Sequence, residues 1–135
     1  MKNDKTDNHE QLFWEEIDRL FPDMIKAIAS LSKKSYLSIT NLRTGITWWS
    51  ERAMDYFGMK ENYTIRGMEK ANRKIHPDDV ATFKRGFKER VDGKNLDTAW
   101  EYRIQDGDSY NRFNAMARVL YDEQKQPFII IIRYD

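Results

Sequence analysis

The chain has 135 residues, enough for one core and too few for two that would each stand alone. Charged residues make up 33% of it, yet the formal net charge is only +1, which argues against a dedicated nucleic-acid binder, and the 13% aromatic content is too rich for a disordered segment. With no cysteine there is no disulfide framework, thiolate metal site or cysteine nucleophile; with no long apolar run and no signal-like start, a cytoplasmic domain without membrane contact is expected.

After a polar start, Phe13, Ile17, Leu20, Met24, Ala27 and Leu31 recur in steps of three and four and predict a helix from about Gln11 to Lys33. A second stripe, Phe21, Ile25 and Ile28, runs beside the first and makes the apolar face wider than packing on a sheet requires. The surplus fits a helix contact in a homodimer. Pro22 removes a backbone donor, so a kink or restart is expected at Phe21–Asp23.

Two short strands follow, Ser35–Thr40 and Ile46–Ser50, joined by a turn through Gly45. Ser50 is placed to cap a short helix ending at Phe57-Gly58, and Thr64 to cap another turn from Ile65 to Ala71. His76-Pro77-Asp78-Asp79 is a stronger helix start, with proline at the first position and carboxylates where the helix dipole is positive; the helix should run to Val91. Three strands complete the chain: Leu96–Gln105, Tyr110–Tyr121 after the Asp106-Gly107 turn, and Phe128–Ile132. The last is apolar at every position, so both its faces need cover. Ile129 and Ile131 are read toward the short helices, and Ile130 and Ile132 toward the N-terminal helix.

The aromatic residues are the candidate site. Trp48 (or Trp49), Phe83, Phe87, Trp100, Tyr102 and Phe113 are predicted to converge between sheet and helices, with Ile131 and Arg133 completing the wall. They either fill this space as core or leave a small cavity for a planar or carboxylate-bearing molecule. Other chemistry finds little support. No pair of histidines has ligand spacing: His76 reads as a helix cap and His9 lies in the polar tail. Asp78-Asp79 and Glu15-Glu16 are neighbours that diverge by about 100° on a helix and form no acid/base dyad. No phosphate loop or Ser/His/Asp spacing is present.

Trp49-Ser50, Tyr56-Phe57-Gly58, His76-Pro77-Asp78-Asp79, Glu101-Tyr102-Arg103, Asp106-Gly107, Asp122-Glu123 and Tyr134-Asp135, in this order, resemble the PAS family, and most closely its subgroup found ahead of diguanylate cyclase (GGDEF) domains and histidine kinases. The resemblance covers about Ser35 to Asp135. It departs where relatives carry tryptophan early in the fourth strand and glycine in the last; this chain has Asn111-Arg112-Phe113 and isoleucines. It implies an α+β fold: a five-stranded antiparallel sheet with short helices on one face and the N-terminal amphipathic helix on the other. Residues 1–34 would be the flanking, dimerising helix, and residues 35–135 the PAS domain. The implied function is a non-catalytic sensory and dimerisation module, with its effector domain in cis, a cyclase first and a kinase second. No cofactor is expected: haem-binding relatives place their ligand on the helix that here runs histidine-free from Pro77 to Val91, and adduct-forming flavin needs a cysteine. Two rivals stay open, a cone-shaped enzyme resembling the ketosteroid isomerase group, for which Glu101 and Asp97 would have to face the pocket, and a purely structural dimerisation domain.

Overall fold

The structure is a computed structural model that describes residues 4–135, with side chains from Asn8 onward. Its β-branched and aromatic segments pair into one antiparallel sheet: β1 (Tyr36–Asn41), β2 (Ile46–Trp49), β3 (Tyr63–Ile65), β4 (Trp100–Asp106), β5 (Ser109–Tyr121) and β6 (Pro127–Tyr134), in the order β3-β2-β1-β6-β5-β4. Five of these were expected and the sixth, β3, was not. Thr64 does not cap a helix. It pairs with Thr47 in the ladder and its hydroxyl accepts the Trp49 indole N–H at 2.7 Å. β6 lies between β1 and β5, so a run of apolar residues suits it on both faces.

The parity of β6 is opposite to that expected. Ile130 and Ile132 face the short helices, while Ile129 and Ile131 join the cluster under the N-terminal segment. Arg133 follows Ile131 outward and pairs with Asp135 at 3.1 Å, leaving Tyr134 inward.

The short helices cover the inner face. They are α4 (Glu51–Phe57), α5 (Gly67–Asn72) and α6 (Val80–Val91), the last preceded by a 3-10 turn at Pro77–Asp79. Ser50 caps α4 by accepting the Ala53 N–H, and Gly58 ends it at a φ of 68°, open to glycine at little cost. His76 caps the 3-10 turn, Nδ1 accepting the Asp78 N–H at 3.1 Å. Asp79 grips Arg103 on β4 through both carboxylate oxygens, at 2.9 and 3.0 Å, and accepts its backbone N–H at 2.8 Å. This clamp fixes the start of α6 on the sheet edge.

The N-terminal segment is three helices in place of one: α1 (Asp4–Trp14), α2 (Ile17–Leu20) and α3 (Met24–Leu31). One interruption falls at Phe21–Asp23, where Pro22 required it, with Asp23 at a φ of 64°. A second, at Glu15–Glu16, has no signal in the apolar spacing. The breaks change the helical phase, so the two stripes do not stay separate. Phe13 and Ile17 from one and Ile25 from the other are all fully buried on the outer face, against Leu37, Ile39, Ile46, Phe128 and Ile129. Leu20, Phe21 and Ile28 pack half-buried around them, and Met24 is exposed. Polar ties hold the segment down: Asn41 donates to the Phe13 carbonyl at 3.1 Å, Trp14 donates to the Tyr63 hydroxyl at 2.9 Å, and Arg43 joins Glu16 to Asp122.

Candidate functional site

Alternation on β4 turns Trp100, Tyr102 and Ile104 inward. The apolar stripe of α6 brings Phe83 onto them, with ring centroids 4.9 Å from Tyr102 and 6.1 Å from Trp100. From the other side α4 delivers Phe57, 5.6 Å from Tyr134 and 5.1 Å from Trp49. These rings close the chamber almost completely. What remains is a void of about 10 Å³ between Phe57, Phe83, Tyr102, Tyr134 and Asn72, room for one water at most.

The placement of the candidate residues is therefore mixed. Phe83 and Tyr102 border the void, and Trp100 lies beside them in the same core. Phe87 packs partly buried next to Phe83. Phe113 is buried on the inner face but is enclosed by Tyr36 and Tyr56, at 5.8 and 5.2 Å, away from the void. Trp48, Ile131 and Arg133 are on the wrong face. Trp49 takes the inner position, Trp48 and Ile131 belong to the outer cluster, and Arg133 is solvent-exposed, because the parity of β2 and β6 turns them away. Asn72, Tyr134 and Phe57 were missed. Tyr134 had a readable signal, since a charged Arg133 points outward and so sends its neighbour in.

The chamber's polar groups are few. Burial raises the Tyr102 phenol well above its ordinary value, and pushes Tyr134 up to about 12. Both stay neutral at physiological pH. Tyr134 and Ser38 share a hydrogen bond at 3.2 Å, whereas the Tyr102 hydroxyl, which lies next to that of Tyr134 and shifts its ionisation, makes no hydrogen bond of full geometry. Asn72 Oδ1 is likewise buried without a partner. Among the described residues no carboxylate reaches the void: Glu101 is exposed and paired with Arg112, and Asp97 with Arg118. None of the described residues therefore supplies the base an isomerase of the cone-shaped type needs.

Behind Trp100 the last turn of α6 contributes Arg90, a buried guanidinium 3.8 Å from the Trp100 ring. Nη1 donates to the Gly86 carbonyl at 3.0 Å and Nη2 to the Thr98 carbonyl at 2.6 Å. Gly86 makes this stacking possible, because a Cβ there would stand 2.9 Å from Trp100 Cδ1. His9, assigned by its sequence to a polar tail, is buried on α1 with Nδ1 4.0 Å from Glu61. Among the described residues no three His, Asp or Glu side chains gather as a metal site, and no helix is long and apolar enough to cross a membrane.

The family described as the PAS fold matches residues 46–132. No curated protein matches significantly. Among solved structures, a sensory box histidine kinase/response regulator from Burkholderia thailandensis is similar at a TM-score of 0.59 and 18% identity, over 82% of each chain. The N-terminal domain of a diguanylate cyclase with PAS/PAC sensor from Marinobacter aquaeolei gives 0.59 at 14% identity, over 75% of this chain and 93% of that one. The PAS domain of a protein from Colwellia psychrerythraea gives 0.59 at 18% identity, over 84% of this chain and 96% of that one. At these identities the likeness is one of fold.

Proposed function

Because the chain belongs to the PAS fold family, a sensory fold, we propose that it is a non-catalytic sensory and dimerisation module of a cytoplasmic signalling protein, acting on an effector domain in the same polypeptide. A diguanylate cyclase is the first choice of effector and a histidine kinase the second, since both occur among the proteins whose domains share this fold. The observation that supports a dimerising role is the unequal cover of the sheet. Its inner face is sealed, but outward-facing Leu37, Met116 and Ile131 line an open groove of about 350 Å³ together with Ser32, Arg118 and Arg133, and Leu31, the chain neighbour of Ser32, stands 87% exposed. An open groove with apolar side chains rimmed by polar ones, next to an exposed leucine, favours association. A second copy seated there would link sheet and N-terminal helices to the partner, so that a shift in packing on one side is felt on the other.

Light scattering tests this directly. The parent should be a dimer, and Leu31→Glu combined with Met116→Glu should give a folded monomer; a monomeric parent, or an unchanged dimer in the variant, overturns the proposal. The purified protein is also expected to be colourless, since Pro77–Val91 offers no histidine and the chain no cysteine. A near-stoichiometric Soret band or flavin spectrum would refute that part.

A further inference from the structure

Arg90 is only 2% exposed and, among the described residues, has no carboxylate within ion-pairing distance. A buried guanidinium is normally paired. Two of its five N–H groups go to the Gly86 and Thr98 carbonyls, and the partial negative charge at the end of α6 favours it there. Nε is left without an acceptor, and so is the indole Nε1 of Trp100, which lies against the guanidinium and is 7% exposed. Two buried donors that lack acceptors thus sit side by side. Both residues line a cleft of about 260 Å³ at the sheet edge, separate from the aromatic void, where Arg85, Asn95 and Thr98 add further polar groups. The one carboxylate in that lining, Glu89, is engaged by two of its neighbours in the cleft: it accepts from Asn95 Nδ2 at 2.6 Å and stands 3.8 Å from Arg85 Nε. Two guanidiniums therefore face one carboxylate that is already bound.

We propose that the cleft between the end of α6 and the start of β4 binds a small carboxylate anion, held by Arg90 with the Trp100 indole as an additional donor. The edge of a guanidinium that carries Nε is a planar fork matched to two carboxylate oxygens, and Nη2 keeps one N–H for it beside its bond to Thr98. The adjacent indole N–H supplies a third hydrogen bond once the cleft wall that shields both donors from solvent parts around the anion. A cleft of this size admits an anion of a few carbons and no larger cofactor. The site shares no lining residue with the aromatic void, and stands or falls independently of the sensory and dimerising reading.

The test is an NMR titration of the ¹⁵N-labelled protein with sodium acetate and sodium succinate, using sodium chloride at matched ionic strength as the control. Saturable shifts of the Arg90 Nε–H and Trp100 Nε1–H resonances in the millimolar range, seen with the carboxylates and not with chloride, are expected. Arg90→Lys keeps the charge and removes the fork, and should weaken the response about tenfold or more. Trp100→Phe, which keeps a ring under the guanidinium, should weaken it less. Equal shifts with chloride, or none with either carboxylate, overturn the proposal and leave Arg90 as a staple of the helix end. A response to an acidic peptide alone also overturns it, in favour of a protein docking site. If Arg90→Lys does not fold, the parent titration still decides.

Discussion

Single residues here act against their usual tendencies, and Gly86 shows it most directly. Alanine in place of a mid-helix glycine ordinarily stabilises by about 0.5–1 kcal/mol. At Gly86 the added methyl would meet Trp100 Cδ1 at 2.9 Å and Nε1 at 3.0 Å, and that indole is fixed between Phe83 and Arg90. Gly86→Ala should therefore destabilise by about 1–3 kcal/mol, as overpacking does, and a denaturant melt that shows a gain would contradict the packing described. Asp79 gives a second case. Its hydrogen bonds to Arg103 hold the carboxyl down at about 2, against an ordinary 3.8. A depressed carboxyl binds its proton more readily in the unfolded chain, so its contribution is complete above about pH 4 and is lost as the pH falls toward 2. The side chain is 19% exposed, which limits the effect to about 1–2 kcal/mol. Asp79→Asn should cost that much at neutral pH and little near pH 2, as read from urea melts at the two extremes.

At the scale of elements, the ends were more legible than the faces. Ser50, Gly58 and Asp106-Gly107 each act through local backbone chemistry, and each falls where the sequence put it. The alternation of β4 was equally plain, because Glu101 and Arg103 interrupt the apolar residues. β6 has no such interruption from Phe128 to Ile132, so its parity could be taken only from Arg133, and reading that arginine as a pocket group inverted the strand. Trp48-Trp49 poses the same problem with two like residues in succession. β3 was hidden for another reason: three residues carry too little pattern, and their pairing with β2 is a tertiary fact. Two substitutions probe these assignments. Phe113→Trp would have filled a cavity had Phe113 lined one; enclosed by Tyr36 and Tyr56, it should instead cost about 1–3 kcal/mol. Ile25→Glu would only loosen a dimer if its stripe were spare. Ile25 is fully buried on the sheet-facing side of α3, so the glutamate should unfold the domain or remove several kcal/mol of stability, seen as loss of near-UV circular dichroism at ambient temperature.

The whole molecule is two cores that share one sheet, and its central strands contribute side chains to both. Ile130 and Ile132 of β6 serve the inner core while Ile129 serves the outer; in β1, Ile39 lies in the outer core and Ser38 bonds Tyr134 on the inner side. The outer core exists only while the N-terminal segment is in place, because Phe13, Ile17 and Ile25 are its lid. Removing residues 1–33 would uncover Ile39, Ile46, Phe128 and Ile129, each at most 2% exposed, along the middle of the sheet. It would also leave Asn41, Arg43 and Tyr63 without partners for hydrogen bonds they make to Phe13, Glu16 and Trp14. A newly exposed apolar strip of this kind favours association, and it adjoins the groove at Leu37 and Ile131 that is already open. The truncated protein is thus expected to aggregate, or to melt at a markedly lower temperature than the parent, with the inner core weakened through the shared strands. Light scattering and thermal melts of the truncated and full chains decide the matter: a truncated domain that stays soluble, melts with the parent and keeps the parent's oligomeric state would show that the two cores are independent and that the N-terminal helices are an appendage.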